Sequence, residues 1–230
     1  MTRLRLPVSL NNPPTAWEVL WAFLAVALLF ALVGATVRGP KAAEIASFFV
    51  LLAIAVICWR IHAVRRRLGA PGFTGQARIW LIFAVGFFFL VLDEGLSIHE
   101  EIDFYVHWLF AIAETGLTDR IDDFIILLYG ISGLLVLYFH RQELRSISDQ
   151  TALFVVGFVF FFLMVAADAS GNRPDFAIFL GFSEPDAIQF DRLLDFVEEF
   201  FKLVAESAFL IAFARIYERA SAPLRATTPD

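Results

Sequence analysis

The residues best equipped for chemistry fall in two short runs. The first is Asp93-Glu94-Gly95-Leu96-Ser97-Ile98-His99-Glu100-Glu101-Ile102-Asp103, with His107 four residues further on. The second is Asp195-Phe196-Val197-Glu198-Glu199-Phe200-Phe201-Lys202, followed by Glu206. Both lie within apolar sequence. A charge at the centre of a membrane helix costs roughly 2.5 to 3.5 kcal/mol on insertion scales, so runs of this kind must face protein, water or an ion, and they mark a functional site.

Two chemistries fit these residue types. His99, Asp103 and His107 are spaced i, i+4, i+8, which stacks their side chains on one side of a helix. With Asp168, Glu198, Glu199 and Glu206 as further ligands they would suit a divalent metal ion, zinc, iron or manganese. Asp93, Glu94, Glu100 and Lys202 are then the candidate catalytic groups, for hydrolytic or redox chemistry. The paired Glu-x-x-His of di-iron bundles is absent. The second chemistry uses the same residues as a proton or cation relay in a transporter or channel, with Lys202 as the counter-charge. A third class, an accessory subunit of a membrane complex, would use the acidic face only for docking.

Plainer roles account for several residues. Lys202 with Asp93 or Glu199 makes sense as a buried structural pair. Glu101, Asp119 and Glu184 suit a water interface, and His107 beside Trp108 suits a membrane interface. His62 and His140 sit at helix ends. Phe158 to Phe162 reads as packing and lipid-facing surface, and Cys58, the single cysteine, as core.

The elements that carry these residues are apolar helices. The chain has 230 residues, 59% of them hydrophobic, with 27 Phe and a mean hydropathy of +0.72. This composition specifies a single all-α, multi-pass membrane bundle whose solvent is the lipid bilayer. A net charge of −6 gives no reason to expect nucleic-acid binding. Hydropathy predicts six spans, at about 16–37, 42–64, 77–113, 122–140, 151–168 and 190–217. Thr15-Ala16-Trp17-Glu18 has the form of a capping box that opens the first, which is read as a retained span rather than a signal peptide. Gly130 and Gly133 allow close packing of the fourth. The third, at ~37 residues or ~55 Å, overshoots a ~30 Å hydrocarbon core and must tilt, kink or project into water. Residues 169–189, with Pro174 and Pro185, read as a surface loop or a re-entrant segment.

Six spans put both termini on one side. Twelve Lys and Arg fall with the termini, the 60–78 linker that holds Arg65-Arg66-Arg67 and the 141–150 loop, against five on the other side, with Lys202 inside the sixth helix. The positive-inside rule therefore predicts cytoplasmic termini in a bacterial inner membrane, with the site reached by an ion or small molecule from the periplasm. Counting ~1.5 Å per residue from the basic end puts Asp93 at ~21 Å, Lys202 at ~20 Å, Glu199 at ~24 Å, Asp168 at ~26 Å and His99 at ~30 Å. The start of the fourth helix, Asp122 and Asp123, lies at a similar height. Matched depth predicts that Asp93 and Lys202 meet. At 100° per residue, Asp93, Ser97, Glu100, Asp103 and His107 share one face, with His99 at its edge and Glu94 and Glu101 elsewhere. Asp191, Asp195, Glu198, Glu199, Lys202 and Glu206 fall within an arc of about 100°.

Asp93-Glu94-x4-His99-Glu100 and the later Glu198-Glu199-x-x-Lys202 resemble the marks of a group of small, uncharacterised bacterial multi-pass membrane proteins. Those marks are an Asp-(Asp/Glu)-x4-His-Glu helix and a late Glu-(Glu/Asp)-x-x-Lys helix. The resemblance covers two patches of about ten residues and implies a site at Asp93, Glu94, His99, Glu100, Glu198, Glu199 and Lys202, without a reaction. Phe200 and Ala205 stand where the second motif of that group has small residues.

Overall fold

The computed structural model describes residues 41–69, 77–113, 115, 118–145, 148–171 and 175–226. The expected first span, 16–37, and its capping box lie outside these residues. Every regular element among the described residues is helical: α1 (Lys41–Arg67), α2 (Arg78–Leu96), α3 (Ile98–Phe110), α4 (Ile121–Phe139), the short α5 (Arg141–Arg145), α6 (Thr151–Gly171), the short α7 (Asp175–Phe179) and α8 (Glu184–Ala226). Single 3-10 turns, Thr118–Arg120 and Ser148–Gln150, lead into α4 and α6.

Four segments are long and apolar enough to cross a membrane: Ala43–Arg67, Arg78–Leu96, Ile121–Phe139 and Ser148–Gly171. Their outward faces carry large apolar side chains that a soluble protein would bury, among them Val85, Phe88, Phe124, Leu135, Phe139 and Val155. Here lipid replaces water as the partner of those faces. At ~1.5 Å per residue α8 is ~64 Å long, and its acidic stretch keeps it out of that apolar class. It is nevertheless the centre of the bundle.

α8 packs most extensively on α6 and then on α1, while α1 also lies along α2. Ala208, Ile211, Ala212, Phe213 and Ile216 of α8 are buried against Ile54, Cys58 and Ile61 of α1, Ile79, Trp80 and Phe83 of α2, and Leu153 and Phe154 of α6. Phe213 is the hub of an aromatic layer, with ring centroids 5.4 Å from Phe83, 5.5 Å from Phe87 and 5.4 Å from Phe154. Gly157 brings α6 close to α8, because a Cβ there would stand 2.5 Å from the Phe209 ring. Gly130 does the same between α4 and α6, at 2.2 Å from Phe161.

Several expected boundaries move. The third helix is not continuous over 77–113: it breaks at Ser97, whose φ of 48° and ψ of 48° are left-handed, and α3 ends before Ala111, also left-handed. Such a conformation costs an L-residue roughly 1–2 kcal/mol, so something must hold it in place. Between α6 and α8 the 169–189 segment contains α7, and α8 begins at Glu184 rather than near 190. At its other end α8 runs on past Tyr217 to Ala226.

The end of the bundle away from the acidic residues is pinned by ion pairs. Arg65 of α1 lies 2.8 Å from Glu143 of α5, and Arg219 of α8 pairs with Asp149 before α6. His62 Nδ1 donates to the Ala77 carbonyl at 2.8 Å, tying α1 to the start of α2, and His140 Nδ1 donates to Val136 O at 2.9 Å. Both histidines have the structural roles expected of them.

Candidate functional site

α1, α2, α3, α4, α6 and α8 enclose a cavity of about 570 Å³ at the end of the bundle opposite Arg65 and Arg219. Each helix brings acid to it: Glu44 from α1, Asp93 and Glu94 from α2, Glu100 and Asp103 from α3, Asp122 from α4, Asp168 from α6, and Glu198, Glu199 and Glu206 from α8. Lys202 and His99 are the only basic side chains on the described lining. Its floor is Phe87, Phe161 and Phe209.

The break at Ser97 is what puts α3 on this cavity. Asp93, on the last turn of α2, reaches across the joint: its Oδ1 accepts the backbone N–H of His99 at 2.9 Å, and its Oδ2 lies 3.0 Å from His99 Nδ1. The first amides of a helix have no intrahelical partner, and a carboxylate there is favoured by the helix dipole. Asp93 therefore caps α3 and holds the left-handed residue between the two helices. His99 Nε2 faces Glu100 at 4.0 Å.

Burial at the site lowers the His99 pKa, but the hydrogen bond and charge of Asp93, with the charges of Glu100 and Asp122, outweigh it and raise the net value.

Lys202 lies deeper. Its Nζ is 3.1 Å from Glu199 Oε1, one turn back on α8, and 3.3 Å from Glu94 Oε1 on α2. The expected partner Asp93 is engaged with His99 instead. Glu94, expected to point elsewhere, lines the cavity as well. At the bottom, Ser47 Oγ of α1 donates to Glu206 Oε1 at 2.6 Å. Glu206 is only 7% exposed, and its Oε2 and the Oε2 of Glu199 are buried without a hydrogen-bond partner among the described residues. Asp168 of α6, on the cavity wall, is linked to Asp123 of α4 by a hydrogen bond between their carboxyl groups.

Asp93, Glu94, His99, Glu100, Asp103, Asp168, Glu198, Glu199, Lys202 and Glu206 are thus brought to one cavity. His107 is not: it is buried, and its Nδ1 turns back on its own helix, 3.0 Å from Asp103 O and 3.1 Å from Asp103 Oδ1. The i, i+4, i+8 set therefore does not converge, and among the described residues no three His, Cys, Asp or Glu side chains are grouped as a metal shell. Glu44, Ser47 and Tyr129 are additions the sequence did not single out. Glu44 had a signal, a carboxylate at the mouth of an otherwise uncharged span. Ser47 and Tyr129 had none, because neither residue type is unusual in a membrane helix.

A family model described as Domain of unknown function (DUF8692) matches residues 39–216, which takes in every residue on the cavity wall. No curated protein and no solved structure matches the chain.

Proposed function

From the premise that the chain belongs to the family of the domain of unknown function DUF8692, we propose that it is a multi-pass membrane protein whose acidic cavity takes up cations, protons first among them, from one side of the membrane. One observation carries this reading: ten carboxylates surround one lysine and one histidine inside a cavity walled by helices. Ten like charges at such close quarters cannot all be ionised, so protons or bound cations must make up the balance. Exposure falls along the wall in the order an entering proton would meet it. The Glu100 side chain is 64% exposed, that of His99 19%, that of Lys202 16%, and Glu206 lies at the bottom.

The orientation that goes with this reading is a six-span protein of a bacterial inner membrane, with cytoplasmic termini and the cavity open to the periplasm. The distribution of basic residues supports it, as do the ion pairs of Arg65 and Arg219 at the end away from the cavity. α8 then serves as a span whose charges are sheltered by its neighbours rather than by water.

The test is proton or cation uptake into proteoliposomes loaded with a pH-sensitive dye. Wild type should carry a flux, Glu206→Gln should lower it at least tenfold, and Lys202→Met should abolish it. Flux at the level of empty liposomes under both pH and cation gradients would sink the reading.

A further inference from the structure

A second cavity, of about 260 Å³, adjoins the first between α2 and α4. Its wall is almost wholly apolar, and it shares Phe87, Leu90, Tyr129, Phe161 and Phe209 with the acidic cavity, so an acidic chamber and an apolar chamber meet at a common wall. Small residues make the space: Gly86 on α2, and Gly130, Ser132 and Gly133 on α4. At Gly86 the chamber opens sideways, since that residue is exposed and a Cβ there would find nothing within 4 Å. Gly86 belongs to a helix long and apolar enough to cross a membrane, so among the described residues the opening is on the side that lipid would cover.

Three buried polar atoms have no hydrogen-bond partner among the described residues and stand where a ligand would pass. The Tyr129 hydroxyl belongs to the wall the two chambers share, and Glu199 Oε2 and Glu206 Oε2 lie in the acidic one. An unpartnered buried polar group costs roughly 1–3 kcal/mol, which a ligand's polar head would recover. Pockets that are mostly apolar with a few convergent polar groups are the usual form of small-molecule sites.

We propose that the two chambers together bind a membrane amphiphile built of a protonated amine on a single hydrocarbon chain, with the amine at the Oε2 atoms of Glu199 and Glu206 that Lys202 and Ser47 leave open and the chain beside Gly86 and Gly133. The excess of carboxylates selects a cationic head over the anionic heads of fatty acids, and lateral entry past Gly86 lets the chain stay in an apolar phase throughout. The proposal rests on the reading of the acidic chamber as a cation site and adds the chain to it.

The test uses the full chain in lipid nanodiscs, titrated with dodecylamine, butylamine and dodecanoate, with the thermal midpoint and calorimetric affinity as readouts. Dodecylamine should bind at least tenfold more tightly than butylamine, and dodecanoate should give no saturable signal. Gly86→Leu, and separately Gly133→Leu, should bring the ratio of dodecylamine to butylamine affinity down to about one. Glu199→Gln and Tyr129→Phe should each weaken both amines. Equal affinity for the two amines would overturn the proposal and leave the cation site standing. A chain-length preference that survives both glycine substitutions would overturn it in favour of simple partition into the bilayer. No binding of either amine would fail the cation site itself, and the proposal with it.

Discussion

Asp93 holds His99 at two points, the backbone N–H at 2.9 Å and the ring Nδ1 at 3.0 Å, so a single carboxylate spans the joint between α2 and α3. A hydrogen bond to a charged group contributes about 1.5–3 kcal/mol, and Asp93→Ala should lower unfolding stability by about that much. Asp93→Asn, which keeps an acceptor for the amide, should cost less.

The same contact predicts a pH dependence. Asp93, Glu100 and Asp122 raise the His99 pKa over the opposing effect of burial, and Asp168 of α6 acts on it in the same direction. A raised folded-state value means that the stabilisation is complete below the unfolded value of 6.5 and is lost as pH climbs through the folded one. The thermal midpoint of wild type should exceed that of His99→Gln most below pH 6.5, with the gap closing as pH rises through the raised folded-state value. A gap that widens with pH would show that His99 is held neutral.

Lys202 joins α8 to α2 through Glu94. Removing one partner of a fully buried pair costs roughly 3 to 5 kcal/mol; here both groups are partly buried and Lys202 keeps Glu199 when Glu94 is lost, so each single substitution costs less than that, and removing both costs less than the sum. Glu94→Gln with Lys202→Met should therefore show a coupling energy in a double-mutant cycle, larger than that of Asp93→Asn with Lys202→Met. Additive effects for the Glu94 pair would mean that the contact carries no energy.

Topology can be read by reporter fusions. Fusions after Arg67 and Arg145 should report the cytoplasm, and fusions near Asp119 and Pro174 the periplasm. The opposite pattern would turn the cavity toward the cytoplasm and reverse the direction of uptake.

A metal reading makes its own prediction. If zinc, iron or manganese sat on His99 with Asp168 or Glu199, titrating that ion would raise the thermal midpoint saturably, and His99→Ala or Glu199→Gln would abolish the rise. With His99 Nδ1 committed to Asp93 and His107 turned onto Asp103, the expected outcome is no saturable shift.

Helical class and the apolar stretches of α1, α2, α4 and α6 are legible from hydropathy, because lipid requires every backbone polar group to be satisfied within the helix. The meeting of residues from α2, α3, α6 and α8 at one level is legible from counting rises along those helices. The partners within that level are not. They depend on Ser97, an ordinary residue in an unusual conformation, which no periodic pattern announces and which rotates α3 relative to α2. One left-handed residue is enough to exchange Asp93 for Glu94 as the partner of Lys202 and to remove His107 from the group. α7 was hidden for a different reason, since five residues are too few to show a period.

The floor of Phe87 and Phe209 and the layer around Phe213 divide the membrane unequally for an electric field. A chamber lined by charged groups brings the potential of its own side inward, so the voltage falls mainly across the aromatic layer rather than across the full bilayer. An elementary charge crossing the whole potential gains or loses ~2.3 kcal/mol per 100 mV. For any ion that crosses this protein, most of that work falls on the stretch of α8 between Phe209 and Arg219, ~15 Å long with Phe213 inside it. Membrane voltage therefore acts on passage through that layer and leaves the loading of the chamber above it nearly untouched.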